Sequence, residues 1–371
     1  MFIELHILQS FAPSNLNRDE SNNPKDCSFG GARRARISSQ CIKRAIRLHP
    51  AFAEETGVQP ASRTRLLAKG VSEILQKEGK EKAEAELAAT NLISRILIKM
   101  DKSDPLQSTV LFYASQEEKQ YLARVALQNW QALTAEKADQ KSLEAALKEY
   151  KENFKNRSSA PDVAMFGRML AEDPALNLDA ACQVAHAIST HRTNMEFDFF
   201  TAVDDLQHEN ETGAGMMGLT GFNAATFYRY ASLDYEQLLR NLNDDSQLTE
   251  KAIRGFLKAS ALAVPSGKQN SFAAQNPPSF LMALVRKNSS TWSLANAFEK
   301  PVFAQGEKSQ LGASIDALCQ YWEEVQNFFE DDSEPVLAVI GSDAVPENMK
   351  GFAVKSLNQW IDKVISQIDK E

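Results

Sequence analysis

A run of basic residues lies near the start of the chain, in the stretch FGGARRARISSQCIKRAIR at residues 29–47. Between residues 25 and 47 the only acid is Asp26, whereas the cations are Lys25, Arg33, Arg34, Arg36, Lys43, Arg44 and Arg47. Guanidinium and ammonium groups bind phosphate oxygens, and Arg can hold them with two parallel hydrogen bonds. Since the formal net charge of the whole chain is -8, this positive charge is local.

Small and hydroxyl-bearing residues accompany this charge. Gly30 and Gly31 allow a backbone to approach a ligand closely, and Ser38 and Ser39 precede a predicted helix whose N-terminus favours anions. The stretch contains neither the GxxxxGK[ST] of a nucleotide P-loop nor an aromatic-rich RNP signature. From the residues alone, two interpretations remain open: a phosphate or nucleic-acid site, and a solvated charged face.

Acids and histidines elsewhere offer weaker candidates. Asp19 and Glu20 follow Arg18 in a Pro/Asn-rich loop, where a carboxylate can hold a metal but more often caps a turn. His186 and His191 lie five apart on a predicted helix, so their side chains diverge, and we interpret both as structural histidines. Asp204 and Asp205 are adjacent on an extended arm and point to opposite sides.

The arm itself carries apolar side chains beside a Gly-rich stretch, GAGMMGLTG. Phe197, Phe199, Phe200 and Val203 belong either to a core, the usual place of aromatic residues, or to a surface that packs against unstacked bases or a neighbouring subunit. The sequence favours an extended arm or hairpin over residues 192–224.

The four cysteines, at positions 27, 41, 182 and 319, form neither a CxxC pair nor a metal-ligand spacing. We therefore expect reduced thiols in a cytoplasmic protein, with no metal and no cofactor. Because no apolar run approaches the length of a membrane span, we expect no membrane partner.

Patterning along the chain predicts an α+β protein. Alternating apolar residues in MFIELHILQS predict a half-buried strand, and EPVLAVIGS predicts a late buried strand. Ala-, Leu- and Lys/Glu-rich patterns predict helices from about residue 64 to residue 170, LDAACQVAHAISTH predicts another helix, and FAVKSLNQWIDKVISQI predicts a closing helix.

Several motifs together resemble one family. They are LNRD at 16–19, FGGARRARISSQ with KRAIR, FGRM at 166–169, AHAISTH, FFTAVDDLQ, FYRYA and ANAFEK at 295–300. In this order they are similar to the backbone subunit of the type I-E CRISPR Cascade, the CasC family. The resemblance is loose from residue 64 to residue 160.

The resemblance implies a hand-like fold, with a modified ferredoxin-like (RRM-like) palm, a helical fingers insertion and a β-hairpin thumb. On this chain it implies palm at 1–60, fingers at 61–180, connecting palm at 181–191, thumb at 192–224 and palm again at 225–371. It also implies a non-catalytic subunit for antiviral defence, which polymerises along a CRISPR RNA and kinks it periodically. The implied partners are the CRISPR RNA, the target DNA strand paired to the guide, further copies of the chain and other Cascade subunits.

Site residues carried over from the family fall into three groups. Those expected to hold the RNA backbone are Arg18, Lys25, Ser38, Gln40, Lys43 and Arg47. Those expected to pack around the kinked RNA are Arg168, Met169, Phe200, Thr201 and Val203. A further loop near the RNA contributes Lys268, Gln269 and Asn270. The basic fingers helix of the family is only partly matched, because Glu144 lies between Lys141 and Lys148.

Two other functions remain open. Backbone subunits of related type III complexes cut RNA with a loop acid and a metal, a role that would fall to Asp19 here. A pure protein scaffold would explain the acidic balance and the mixed-charge helices.

Overall fold

A computed structural model of the protein describes residues 1–96, 99–135, 140–202, 216–287, 290–304, 306–340 and 345–368. The chain divides into two compact units. The first contains Met1–Phe52, Gln183–Leu233 and Phe256–Glu371, and the second contains Ala53–Cys182 and Asp234–Gly255. The second unit thus takes in Asp234–Gly255, which the family resemblance assigns to the palm.

The strands are, in chain order, β1 (Phe2–Ser14), β2 (Asp26–Phe29), β3 (Ala32–Ile37), β4 (Ser62–Thr64), β5 (Phe112–Ala114), β6 (Cys182–Val184), β7 (Ala187–Ser189), β8 (Glu196–Ala202), β9 (Met216–Asp234), β10 (Phe280–Arg286), β11 (Val336–Val339) and β12 (Ala353–Val354). The α-helices are α1 (Ser39–Leu48), α2 (Pro50–Thr56), α3 (Leu67–Lys77), α4 (Lys82–Ile96), α5 (Gln116–Gln128), α6 (Trp130–Thr134), α7 (Gln140–Phe154), α8 (Pro161–Phe166), α9 (Tyr235–Asn241), α10 (Ser246–Leu262), α11 (Gln269–Phe272), α12 (Gln310–Phe329) and α13 (Leu357–Ile368). Short 3-10 helices cover Pro174–Leu176, Leu294–Phe298 and Glu347–Phe352. This content confirms the predicted α+β class.

A large sheet organises the first unit, with the strand order β12-β11-β10-β1-β9-β7-β3-β2, and β6 and β8 also pair with β9. β1 is central, antiparallel to β10 with Glu4 opposite Leu284 and His6 opposite Met282. Leu8, Phe280, Met282 and Leu284 join Trp322 of α12 in a hydrophobic core. These side chains lie on one face of the sheet, and Ile3, Leu5 and Ile7 on the other face of β1 are also buried.

β1 is buried more fully than its alternating pattern predicts, because Glu4 and His6 are both inaccessible to solvent. Glu4 forms an ion pair with Arg286 of β10 and accepts a hydrogen bond of 2.8 Å from the Tyr230 hydroxyl. His6 Nδ1 is hydrogen-bonded to the Tyr228 hydroxyl at 2.8 Å. These partners bind the Glu4 carboxylate and His6 Nδ1, whereas His6 Nε2 is buried without a hydrogen-bond partner. Because most of its polar atoms are paired, a strand with polar alternation can lie inside the protein.

Helices dominate the second unit, which also contains the two-stranded sheet β4-β5. Its core takes apolar residues from α3, α4 and α5, among them Val71, Leu92 and Leu122. α5 begins with a capping box in which the Ser115 and Glu118 side chains accept hydrogen bonds from each other's backbone N–H groups. The helices predicted between residues 64 and 170 are therefore confirmed, and amphipathic packing explains their stability.

One predicted helix is wrong. LDAACQVAHAISTH forms the strands β6 and β7 instead of a helix. In β7, Ile188 and Ser189 pair with Tyr228 and Phe227 of β9, and Ile188 also pairs with Arg36 of β3. Pairing with distant strands overrides the local helix preference of the alanines. Within the described residues, no helix has both the length and the hydropathy needed to cross a bilayer.

Candidate nucleic-acid interface

The start of α1 is fixed by Ser38, which is buried. Its hydroxyl oxygen accepts a hydrogen bond of 3.4 Å from the Cys41 N–H, as an N-cap does. Ile42 and Ile46 bury the inner face of the helix. Gln40 is exposed, and Lys43 and Arg47 are half-buried. Ser38 thus positions the helix, while the polar residues occupy its remaining surface.

The loop that carries Arg18 and Lys25 is attached to this helix start. Asn17 Oδ1 accepts a hydrogen bond of 2.8 Å from the Ser38 N–H, and the Asn17 carbonyl oxygen accepts one of 2.8 Å from the Lys25 N–H. Arg18 forms a β-bridge with Pro24, and its Nη1 donates to Asn22 Oδ1 at 3.2 Å. Asn17 therefore links the loop that carries Arg18 and Lys25, two residues predicted to bind RNA, to the N-terminus of α1.

Asp19 has a structural role in the same loop. Its Oδ1 accepts hydrogen bonds from the backbone N–H groups of Ser21, at 2.8 Å, and of Asn23, at 2.9 Å. This is the turn-capping pattern of aspartate. Within the part of the chain that the structure describes, no group of three or more His, Cys, Asp and Glu side chains is arranged to hold a metal ion.

The loop at residues 267–271 packs against the first loop. A Cβ atom on Gly267 would lie 2.3 Å from the Leu16 carbonyl oxygen, so only glycine allows this approach. Gln269 Nε2 donates to the carbonyl oxygens of Pro265, at 2.9 Å, and of Ala274, at 3.2 Å. Lys268 is half-buried and Asn270 is exposed, so this loop adds one cation beside the first loop.

A two-stranded ribbon, β8 with β9, begins beside the same loops. Asn15 Nδ2 donates to the Gly221 carbonyl oxygen at 2.9 Å, and a Cβ atom on Gly221 would lie 2.8 Å from Asn23 Oδ1. The base of the ribbon is therefore attached to the Arg18 loop. Every residue of β8 is exposed, an unusual state for a strand that contains three phenylalanines.

The register divides the ribbon into two faces. Phe197, Phe199 and Thr201 lie opposite Gly221, Leu219 and Met217, and these form the more apolar face. Phe200 lies on the other face opposite Gly218, where a Cβ atom would be 2.3 Å from the end of the Phe200 ring. Phe200 and Thr201 therefore point to opposite sides. Val203, with Asp204 and Asp205, falls outside the described residues.

His186 is a neighbour of α1 that sequence reasoning missed. Its Nδ1 accepts a hydrogen bond of 3.1 Å from the Ser39 N–H and lies 3.4 Å from Arg36 Nη1. Burial, and then the charges of Arg36 and Lys25, lower the pKa of His186 below its ordinary value. Because 147 residues separate His186 from Ser39, no local pattern in the sequence indicates this contact.

Part of the basic stretch is structural. Arg34 is buried, and its guanidinium donates to the carbonyl oxygens of Ser189, at 3.0 Å, Phe298, at 2.7 Å, and Glu299, at 3.1 Å. A Cβ atom on Gly30 would lie 1.6 Å from the Glu299 carbonyl oxygen. The expectation that Gly30 admits a ligand is therefore corrected, because this glycine admits a backbone segment of the protein itself.

The two remaining predicted residues belong to the second unit. Met169 is 86% exposed, whereas Arg168 is buried. Arg168 Nη1 lies 2.5 Å from Glu118 Oε1 and donates to the Tyr113 carbonyl oxygen at 3.1 Å, and Nε donates to the Leu176 carbonyl oxygen at 2.8 Å. The prediction that the Arg168 side chain contacts RNA is therefore corrected, since these partners hold it inside the unit.

One surface of the first unit thus combines cations, a helix N-terminus and an exposed apolar ribbon. Its cations come from the Arg18 loop, α1 and the 267–271 loop. Such a surface suits a polyanion whose phosphates meet the cations and whose bases meet the apolar side chains.

Comparison with known proteins gives the family. Residues 3–367 match the family described as CT1975-like protein. The chain belongs to the CT1975-like family. No curated protein matches this CT1975-like chain.

Two solved structures are similar over its length. One is a chain of a "CRISPR RNA-guided surveillance complex, pre-nicking", 31% identical with a TM-score of 0.86, and the match covers 99% of this chain and 100% of that one. The other is a chain of a "CRISPR RNA-guided surveillance complex", 25% identical with a TM-score of 0.75, with the same coverage. The fold described above is thus that of chains in CRISPR surveillance complexes.

Proposed function

We propose that this CT1975-like chain is a CRISPR RNA-binding backbone subunit of the type I-E (CasC) kind. In this role, copies of the chain polymerise along the guide RNA in the cytoplasm, and each β8-β9 ribbon kinks the guide. The exposed guide bases then pair with a target DNA strand in antiviral defence. The proposal includes no catalysis, so the chain only binds the guide RNA and imposes its kinked conformation.

The observation that carries the proposal is the convergence of loops far apart in sequence. Contacts of Asn17, Gly267 and Asn15 join the Arg18 loop to α1, to the 267–271 loop and to the base of the ribbon. A solvated charged face would not need this arrangement, whereas a bound RNA strand does. The likeness to chains of RNA-guided complexes supports the same interpretation.

The energetics of such binding follow from its chemistry. Phosphate contacts carry no base information, so binding should tolerate any spacer sequence. With roughly four phosphate contacts per subunit, log K should fall with log salt with a slope of about -3 per subunit, using ~0.7 for each single-strand contact. Each copy binds weakly by itself, and repetition along one RNA supplies the affinity.

The experiment is to purify the chain co-expressed with its guide and partner subunits and to extract the RNA. We expect RNA of uniform length, and we expect nuclease treatment to dissociate the oligomer. An oligomer of unchanged size after complete RNA digestion would instead favour the pure protein scaffold. Incubating the complex with complementary RNA and Mg²⁺ tests the non-catalytic part, since cuts abolished in Asp19→Ala would contradict it.

A further inference from the structure

An exposed aromatic cluster lies at the C-terminal end of α12, on the first unit. Phe328 and Phe329 are the last residues of the helix and are 80% and 56% exposed. Phe329 stacks on Trp292 with ring centroids 4.8 Å apart, and Phe328 meets Phe329 edge to face at 5.0 Å. Large apolar side chains exposed together in this way mark an interaction surface.

The cluster borders an open cleft of about 760 Å³ with an acidic lining. Glu330, Asp331, Asp332 and Glu334 line it, and Lys287 also contributes. Asp331 is paired with the buried Arg286. Glu330, Asp332 and Glu334 are exposed and form no ion pair with any described residue. We call Trp292, Phe328, Phe329, Glu330, Asp332 and Glu334 the acidic aromatic patch.

The acids of the patch lie at the C-terminal end of α12, where negative charge destabilises a helix. The C-terminus of a helix carries partial negative charge, which favours cations and disfavours carboxylates. Here Glu330 is the C-cap itself, with a left-handed φ of 53°, and three more carboxylates follow within four residues, of which Asp331 is paired with Arg286. An external cation would relieve this concentration of negative charge.

Arg286, Trp292, Phe329 and Phe328 form a continuous series of ring contacts, which we call the aromatic ladder. This ladder indicates which kind of cation would bind the patch. Arg286 lies over the Trp292 ring at 4.0 Å, and Phe329 stacks against the same indole. The buried end of the ladder is therefore a guanidinium on an aromatic ring, paired with a carboxylate. Phe328, at the exposed end, contacts Phe329 and is followed within six residues by the carboxylates of Glu330, Asp332 and Glu334. Arg is the side chain that stacks on rings and pairs with carboxylates at once, so an arginine from another protein would repeat there the arrangement of Arg286.

We propose that the acidic aromatic patch docks a segment of another protein subunit that presents an arginine beside an apolar residue. The carboxylates repel phosphates, which excludes RNA, DNA and anionic lipid as occupants. The inference rests on the proposed function only in placing the chain among other protein subunits of a complex.

The test uses the assembled complex with Phe328→p-benzoylphenylalanine, a photoreactive variant, and mapping of the adducts by mass spectrometry. We expect an adduct with another subunit, attached near an arginine. In the Asp332→Lys/Glu334→Lys background the adduct yield should fall about tenfold or more, because like charges then face each other. The control Glu307→Lys makes the same kind of charge change near the other end of α12, about 28 Å away by helix rise, and should leave the yield within about twofold.

Four outcomes would overturn the inference: no adduct, an adduct with RNA, an adduct with a second copy of this chain, or a yield unaffected by the charge reversal. The RNA that co-purifies with each variant is measured in parallel. Retained RNA with no adduct defeats only the docking inference, whereas RNA absent from the wild-type complex defeats the proposed function itself.

Discussion

Gly30 and Glu299 pack so closely that a Cβ atom on the glycine would lie 1.6 Å from the glutamate carbonyl oxygen. Arg34 donates to that same oxygen, so β2, β3 and the segment after the 3-10 helix Leu294–Phe298 are held together at one point. Two sequence motifs, FGGARRAR and ANAFEK, are thereby explained as the two sides of one structural contact.

The first prediction compares two adjacent glycines. Both have a positive φ, 56° for Gly30 and 71° for Gly31, but no atom lies within 4 Å of a Cβ placed on Gly31. Gly31→Ala should therefore lower the free energy of unfolding by about 1 kcal/mol through backbone strain alone. Gly30→Ala adds the steric clash and should cost about 2–4 kcal/mol. Equal costs in urea unfolding would contradict the contact with Glu299.

A second prediction concerns the buried ion pair of the second unit. Arg168→Ala leaves the Glu118 carboxylate buried without its partner, which should cost about 3–5 kcal/mol of unfolding free energy. Arg124→Ala, an exposed arginine on the same helix as Glu118, is the control and should cost less than about 0.5 kcal/mol. RNA affinity should remain unchanged in any Arg168 variant that stays folded. A loss of affinity without a loss of stability would restore Arg168 as a contact residue.

Arg168 and Arg34 show what the sequence cannot reveal. Their residue type fits phosphate binding, but their partners are a carboxylate and backbone carbonyls 50 or more residues away, except for the nearby Leu176 and Phe29. The strand β1, the cap at Ser38 and the helices of the second unit follow from local patterns and were predictable. β6 and β7 were not, because their pairing with β9 outweighs an alanine-rich helix pattern.

The pH dependence of stability provides a third prediction, through His6. Burial, and then the charge of Arg286, lower the pKa of His6 to about 3, against 6.5 for the unperturbed side chain. Between these values the unfolded chain binds the extra proton, so stability present above pH 6.5 is lost as the pH falls towards 3. Between pH 6.5 and pH 3, protonation of His6 in the unfolded chain lowers the free energy of unfolding by about 1.4 kcal/mol per pH unit.

The measurement is urea unfolding of the wild type and His6→Gln at several pH values from 7.5 down to 4. Other groups contribute equally to both proteins, so the difference between their slopes isolates His6. We expect a shallower dependence in His6→Gln below pH 6.5. Parallel curves would show that His6 gains its proton as easily in the folded protein as in the unfolded one.

A fourth prediction separates the two faces of the β8-β9 ribbon. Phe200 lies over Gly218, away from the face of Phe199 and Leu219. If Phe200 packs against the kinked guide, Phe200→Ala should reduce the fluorescence of 2-aminopurine placed at the kink, because the base restacks and is quenched. Phe199→Ala, from the opposite face, is the matched control and should leave that fluorescence unchanged. An equal loss of fluorescence in the two variants would contradict the assignment of the Phe200 face, rather than the Phe199 face, to the kinked guide.

RNA affinity of the α1 surface tests the central claim most directly. Lys43→Ala/Arg47→Ala is compared with Lys355→Ala/Lys363→Ala, which removes two exposed lysines elsewhere in the first unit. The binding of two unrelated RNAs of equal length is measured over a range of salt concentrations. We expect the first variant to lose about tenfold or more in affinity for both RNAs, with a salt slope shallower by about 0.7 per lost phosphate contact. Unchanged affinity, an equal loss in the control, or a loss for only one RNA would contradict an RNA backbone site at α1.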